Sequence, residues 1–313
     1  MPVLRGFVPD GTCDTMDRGI NDWTGGEGME PFQWISEEPD KPKLWSIQSW
    51  TDRYPELTAG FTSRLGGVSE GVFASLNLGL HVDDRPEDVI HNRSRVAAAV
   101  GVPLERWTYG EQVHGTEVAV ITEEDAGRGT RDRESALQET DAFITDRRGI
   151  VMAALFADCV PLYFYDPEHQ ITGIAHAGWK GTVGRIAWHT VHKMKETFGS
   201  KPEQILACIG PSIGPCCYEV DERVAERVRG LLAWLENGKL IEQQDNLLRE
   251  TQKTNKFMLD LQQINRQIMI KAGILPSCIE ISKLCTSCRT DLLFSHRKEQ
   301  GLTGRMIAWI GLR

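Results

Sequence analysis

The sequence has no long hydrophobic run and no excess of basic residues. Its most apolar stretch, residues 150–157, is far too short to cross a bilayer. Lys and Arg total 35 against 44 Asp and Glu, which gives a net charge of −9, whereas nucleic-acid-binding proteins usually carry a basic excess. We therefore expect no membrane partner and no nucleic-acid partner.

A secretory signal is also lacking, because residues 1–10 contain no basic segment followed by an apolar core. Eight cysteines in a chain of 313 residues without such a signal are typical of reduced thiols or metal ligands rather than a disulfide framework. Together these features predict a cytoplasmic protein.

The pattern along the chain predicts an N-terminal extension and a single catalytic domain of mixed α and β structure. Residues 1–28 are rich in Gly, Asp and Thr without apolar periodicity, so we expect them to be disordered or dispensable. Residues 29–313 form the domain, because no linker divides the chain after residue 50. Helices are predicted over 86–100, with Asp84 as its N-cap and Gly101 at its end, and over 182–198, 222–236 and 261–272. Strands are predicted over 59–64, 118–122, 142–146, 149–157, 161–166, 171–177, 205–210, 279–284 and 305–312.

Three polar residues each interrupt or end an apolar strand beside a turn: His114 in EQVHG, Cys159 in FADCVP and His176 in AHAGW. They lie 45 and 17 positions apart, far wider than the ligands of a structural zinc clip. Two imidazoles and a thiolate suit a catalytic zinc ion with an open position for water, and they also suit copper. The spacing alone leaves a structural interpretation open, in which the two histidines are hydrogen-bonded at strand ends and the cysteine is a small buried thiol.

Other polar residues leave two interpretations open. Asp158, at the end of the most apolar strand, is either a proton-transfer or ligand-orienting group or a carboxylate paired with a nearby cation. Arg64, in the Gly-rich piece TSRLGGVSEG, either holds an anion or is an exposed residue of a plain turn. The CTSC pair of Cys285 and Cys288 is interpreted as structural thiols, because the vicinal cysteines at 216–217 lack the usual spacing of a second zinc-clip half.

Over about residues 56–313 the chain resembles the YfiH-type family, also called the multicopper polyphenol oxidase or laccase-domain family. The resemblance implies an α+β fold with mixed β-sheets in an α/β/β/α arrangement, and it implies that His114, Cys159 and His176 are the metal ligands. Two positions depart from the family pattern: His296 stands where Tyr is frequent, and Lys180 where Arg is frequent. The motifs that carry the resemblance occur in order as GFTSRLGGVSEGVFASLNLGLHVDD, NRSRVAAAVGVP, EQVHG, DAFIT, FADCVPLYFYDP, AHAGWKGT, IGPSIGPCCYEV, LDLQQINRQ, CTSC and FSHRKEQGLTGRM.

The resemblance further implies a zinc-dependent purine nucleoside enzyme, acting by phosphorolysis of adenosine, inosine or methylthioadenosine and by deamination of adenosine. Asp158 and Cys159 are the expected catalytic residues, with Asp158 transferring the proton. A nucleoside and phosphate are the expected partners, and the sequence predicts no particular oligomeric state. Residues in the matched motifs are the candidate substrate contacts: Arg64, Asn77, Gln112 and Arg305. For phosphate, the candidate holders are Arg64, Arg297 and Arg305.

Two other functions fit the same residues. One is copper-dependent oxidation of phenols with Cu²⁺ in the His/Cys site, although none of the eight histidines forms the His-x-His pair that a four-copper cluster needs. The other is a thiol hydrolase that edits peptidoglycan precursors, with Cys159 as nucleophile, His114 or His176 as base and no metal. Stoichiometric zinc distinguishes the nucleoside enzyme from the hydrolase.

Overall fold

The computed structural model describes residues 30–35, 41–236 and 247–313. The predicted N-terminal extension, residues 1–28, lies outside the described residues, so its dispensability stays a prediction. Within the described ranges no helix combines the length and the apolar character needed to cross a membrane.

Two six-stranded mixed sheets and a small antiparallel sheet form the strand framework. The first sheet contains, in spatial order, β1 (Phe32–Trp34), β2 (Leu44–Ile47), β3 (Leu57–Thr62), β15 (Met306–Leu312), β7 (Val151–Phe156) and β4 (Trp107–Tyr109). The second contains β14 (Ile279–Ile281), β10 (Leu206–Ile209), β8 (Val160–Asp166), β9 (Ile171–Ala177), β6 (Ala142–Thr145) and β5 (Val118–Val120). The small sheet contains β11 (Glu219–Asp221), β13 (Lys256–Leu259) and β12 (Leu248–Glu250).

The helices in the described residues lie outside the two large sheets. They are α1 (Gln48–Arg53), α2 (Pro86–Val100), α3 (Trp179–Val183), α4 (Ile186–Phe198), α5 (Glu222–Glu236) and α6 (Leu261–Lys271). Helix α2 packs its apolar face on the first sheet through Val96 and Ala97, in one cluster with Trp107 and Trp309. Helices α4, α5 and α6 share an apolar cluster with the outer face of the second sheet.

A third apolar cluster lies between the two sheets and joins Phe61 and Phe156 of the first to Tyr163 and Ile174 of the second. Its rings are fully buried, so this layer removes a large apolar area from water and provides much of the driving force for folding. The order of layers is helix, sheet, sheet, helix in a single α+β domain. The predicted α/β/β/α arrangement is therefore confirmed.

The helix predictions are confirmed in position, and two details are corrected. Gly101 ends α2 in the left-handed conformation (φ 81°), but Arg85 and not Asp84 occupies the N-cap position. The Asp84 carboxylate accepts instead from the Asn77 amide and from the backbone N–H of Arg85. The helix predicted over 182–198 is two helices, because Arg185 adopts a left-handed conformation (φ 66°) between α3 and α4.

Each predicted strand overlaps an observed one. The strands that the sequence did not indicate are β1, β2, β4 and the three strands of the small sheet. Each is only three or four residues long.

Gly60 and Gly230 provide a matched test of this packing. A Cβ on Gly60, in β3, would lie 2.1 Å from the Trp45 carbonyl oxygen and 2.5 Å from the Trp309 ring, whereas one on Gly230, in α5, would meet nothing within 4 Å. We expect Gly60→Ala to lower the free energy of unfolding by about 1–3 kcal/mol. Gly230→Ala should raise it by up to about 1 kcal/mol, since alanine favours the helix. Urea denaturation measures both, and equal effects would contradict this packing.

Candidate metal centre and active site

Three chain segments meet at one end of the central strands β8 and β9 of the second sheet and bring His114, Cys159 and His176 together. His176 lies in β9, directly across from Pro161 of β8, and Cys159 lies in the turn that enters β8. His114 lies in the loop between β4 and β5, with a left-handed backbone conformation (φ 61°). The potential ligand atoms of all three residues lie within 4.8 Å of one another.

A buried carboxylate fixes both histidines of this group. Asp141 is fully buried and accepts the backbone N–H groups of Val113, His114 and Gly115 at 2.7–3.1 Å. It also accepts a hydrogen bond from Nδ1 of His176 at 2.8 Å. That bond places the proton on Nδ1 and leaves Nε2 of His176 as the ligand atom, as in metal sites where a carboxylate orients a ligating imidazole.

The approach of the three side chains requires a glycine at position 178. A Cβ there would lie 2.8 Å from Cδ2 of His114 and 3.1 Å from the Cys159 sulfur. The His114 and Cys159 ligand atoms are themselves 3.8 Å apart, and the two imidazole rings pack edge to face with centroids 4.8 Å apart. Any side chain at Gly178 would therefore displace the group.

The protonation states of Cys159 and His176 are coupled by their proximity. Burial alone would raise the pKa of the Cys159 thiol, but the positive charge of His176 and the hydrogen bond with His114 outweigh it and lower the pKa to about 6. Burial would lower the pKa of His176, but the Cys159 thiolate and the Asp141 carboxylate raise it to about 9. The protein thus favours the thiolate form of Cys159, which is the form that binds metals.

The three residues fit a metal ion by the chemistry of their donors. Imidazole nitrogen and thiolate sulfur are ligands for zinc and for copper, and three protein ligands leave a coordination position open. In such sites a ligating imidazole is commonly oriented by a hydrogen bond to a carboxylate, and the bond from His176 to Asp141 does this here. The group is therefore a cluster able to hold a metal ion, as its residue types predicted.

Asp158 lies beside this group in a strained backbone conformation (φ 86°) and is 8% exposed. Its Oδ1 accepts the Thr286 hydroxyl at 2.6 Å, and its Oδ2 accepts the backbone N–H of Arg297 at 2.7 Å. The carboxylate is held by a hydroxyl and an amide. Among the described residues it forms no ion pair with Lys or Arg, which was the alternative interpretation.

A cavity of about 640 Å³ is lined by His114, Cys159 and His176 and by the adjacent Asp158. Cationic side chains from separate parts of the chain also line it: Lys180 from α3, and Arg297 and Arg305 from the segment before β15. In the described part of the chain none of these three cations has a carboxylate within 4.0 Å. The cavity therefore combines three cations that form no close ion pair with the carboxylates of Glu111, Asp132 and Asp158, which also line it.

The other substrate-contact candidates lie in different surroundings. Gln112 lines the cavity and hydrogen-bonds to both backbone groups of Leu155. Asn77 is fully buried, and its Oδ1 accepts the backbone N–H of Arg305. Asn77 therefore positions the Arg305 backbone from the protein interior. Arg64 is not among the residues that line the cavity.

The guanidinium of Arg64 is instead engaged within the protein. It donates to Glu299 at 2.9 Å and to the Thr290 carbonyl, and it lies 4.4 Å from the centre of the Phe294 ring. The structure therefore does not bring Arg64 together with the other candidates.

Two residues of the site were missed by the sequence analysis, Asp141 and Thr286. Asp141 opens the DAFIT motif just before β6, and Thr286 lies inside the CTSC motif. The available signal was an acidic residue at the start of a buried strand, which is costly unless it is paired. Neither hydrogen-bond partner lies nearby in sequence, so the roles could not be assigned from spacing.

Asp141 and Asp166 form a matched pair for testing the orienting bond. Both are fully buried and accept a histidine Nδ1, His176 for Asp141 and His169 for Asp166, but only His176 lines the cavity. Asp141→Asn should weaken metal binding by about 10- to 100-fold, whereas Asp166→Asn should leave it unchanged. Competition with a chromogenic chelator measures both affinities. Equal affinities in the two variants would show that the Asp141 bond does not orient the ligand.

Comparison with known proteins places this site in a family. A sequence model described as multi-copper polyphenol oxidoreductase laccase matches residues 58–313. The purine nucleoside phosphorylase YlmD of Bacillus subtilis is 41% identical over 275 residues, which cover 87% of this chain and 95% of that protein. The protein of the same name from Geobacillus stearothermophilus is 45% identical over 255 residues, covering 82% of this chain and 90% of that protein.

A solved structure agrees with the fold described above. The crystal structure of YlmD from Geobacillus stearothermophilus superposes with a TM-score of 0.82 at 41% identity, covering 91% of this chain and all of that chain. The match to the family model also spans most of this chain. This chain therefore belongs to the multi-copper polyphenol oxidoreductase laccase family, the YfiH-type family that its motifs indicated.

Proposed function

We propose that this protein is a cytoplasmic, zinc-dependent purine nucleoside phosphorylase that also deaminates adenosine. The observation that carries the proposal is one cavity in which a metal-binding group and Asp158 face cations free of carboxylate partners among the described residues. Relatives at 41% and 45% identity bear the name purine nucleoside phosphorylase. Adenosine, inosine and methylthioadenosine are the proposed substrates.

The cationic side chains bind the phosphate. Phosphorolysis requires a phosphate oxygen to attack C1′ of the ribose while the bond from C1′ to N9 of the purine breaks. Lys180, Arg297 and Arg305 supply positive charge for the phosphate, and arginine binds phosphate oxygens through two parallel N–H groups. The Arg297 guanidinium is kept in place by the Glu219 carbonyl and by the Tyr218 ring 5.0 Å away.

Asp158 transfers the proton in this mechanism. The departing purine needs a proton on a ring nitrogen, and each Asp158 oxygen keeps a lone pair beside the one used by Thr286 or by Arg297. The carboxyl group can therefore hold a proton without losing either bond. Its two fixed hydrogen bonds orient it, which favours transfer at a defined atom.

His114, Cys159 and His176 would hold the zinc ion. A bound divalent ion supplies Lewis-acid chemistry, polarising an oxygen atom and lowering the pKa of water, and deamination at C6 of adenine needs such activation of water. The chain itself contributes the thiolate state of Cys159 and the ring orientation of His176, which Asp141 fixes. A four-copper oxidase cluster is not proposed, because none of the eight histidines forms the His-x-His pair that such a cluster needs.

One observation favours a second candidate, the thiol hydrolase. The pKa of Cys159 is lowered to about 6 beside two imidazoles, which is also how a nucleophilic cysteine is activated. A thiolate that coordinates zinc is a poor free nucleophile. Metal content therefore separates the candidates: full activity in chelator-treated, zinc-free protein would favour the hydrolase.

The proposed reaction is tested by incubating metal-quantified protein with adenosine, with and without phosphate, and separating the products by chromatography. We expect adenine release only with phosphate, some inosine in either case, and neither product from Cys159→Ala, because a metal ligand is lost. Cys278→Ala, which changes a thiol outside the cavity lining, serves as the control. No turnover by fully zinc-loaded protein would refute the proposal.

Arg305→Ala tests the phosphate site. We expect the KM for phosphate to rise at least about tenfold while the KM for the nucleoside changes little, because hydrogen bonds between charged groups contribute about 1.5–3 kcal/mol. Arg85→Ala removes the same charge from an exposed side chain outside the cavity lining and should change neither constant. A parallel rise in both constants for Arg305→Ala would instead place the residue at the nucleoside.

A further inference from the structure

A second group of sulfur atoms lies behind the cavity. Cys216 and Cys217 follow β10, whereas Cys285 and Cys288 follow β14, yet the four sulfur atoms all lie within 4.8 Å of one another. The Cys288 sulfur is 3.5 Å from that of Cys216 and 3.4 Å from that of Cys217. The spacing of these cysteines in the sequence argued against such a cluster. The fold nevertheless brings the two pairs together from distant parts of the chain.

The surroundings of Cys285 are those of a metal-bound thiolate. Its side chain is 8% exposed, and its sulfur accepts the Gly214 backbone N–H at 3.2 Å. The N–H groups of Ser287 and Cys288, two and three positions along, also donate to it. Backbone N–H groups directed at one sulfur stabilise negative charge there, and an uncharged thiol needs no such set of donors.

We propose that Cys216, Cys217 and Cys285 bind a second thiophilic divalent cation, of which Zn²⁺ is the best fit. These three residues carry free thiols, and the ion is therefore assigned to them. Three thiolates are a sufficient protein ligand set for tetrahedral zinc, with one position left for another donor. No histidine or carboxylate belongs to the group, which favours zinc over a hard cation such as Mg²⁺.

The position of this site connects it to Asp158. Thr286, next to Cys285, donates to the Asp158 carboxylate, and the backbone N–H of Ile213, three residues before Cys216, donates to the Asp158 carbonyl. The two segments also pair with each other, because the N–H of Thr286 donates to the Ser212 carbonyl at 3.0 Å. An ion that joins Cys285 to Cys216 and Cys217 would lock both segments that hold Asp158. The second site is therefore a positioning site.

The test uses a variant in which the first site cannot bind. His114→Ala/Cys159→Ala removes two of the three ligands of the first site and leaves the second group intact. Protein handled under nitrogen, stripped with a chelator and reloaded with Co²⁺, should still bind one equivalent with an intense thiolate-to-cobalt charge-transfer band. With the first site disabled, that band must come from the second group.

Cys216→Ser/Cys217→Ser in the same background should abolish the band and the bound equivalent, whereas adding Cys278→Ser should leave both unchanged. In the otherwise native chain, the Cys216→Ser/Cys217→Ser pair should halve the zinc content measured by mass spectrometry. Absence of the band from His114→Ala/Cys159→Ala would overturn the proposal even if the serine variants fail to fold. Because these readouts measure metal and not turnover, they stand apart from the proposed phosphorylase activity.

Discussion

The buried carboxylate of Asp141 is the interaction on which the site depends. A charge with no exposure to water is costly, and here four donors offset the cost: three successive backbone N–H groups and Nδ1 of His176. Those donors come from a loop and from a strand that are otherwise separate. One carboxylate therefore fixes the loop that carries His114 and the ring of His176 together, so the ligand geometry is built before any metal binds.

Local patterns in the sequence predicted the strands and singled out the candidate ligands, whereas the α/β/β/α layers and the ligand roles were implied by the resemblance to the YfiH-type family. Apolar segments such as 149–157 and 171–177 indicate buried strands, and His114, Cys159 and His176 occupy motifs at their ends. The surroundings of Arg64 were not predictable in this way. A Gly-rich motif shows that a turn exists, but it does not show which face of the turn meets the cavity, and Phe294 and Glu299, which hold Arg64, lie some 230 positions away.

Contacts made across long sequence distances explain the other omissions. Thr286 reaches Asp158 across 128 positions, and Cys288 lies beside Cys216 across 72. The net charge of the chain is likewise a poor guide to the charge of the cavity, because residues far apart in sequence meet there. The chain carries −9 overall, yet Lys180, Arg297 and Arg305 converge on one cavity, and the potential that a ligand meets there is set by these neighbours rather than by the sum.

The position of β15 has a consequence for how the protein is made. This strand lies between β3 and β7 and pairs with both, although β3 is synthesised some 245 residues earlier. Until β15 leaves the ribosome, the facing edges of β3 and β7 have no partner, and their apolar residues are open to misassembly. The first sheet can therefore close only after β15 has been synthesised, because it depends on contacts between segments that lie far apart in the chain.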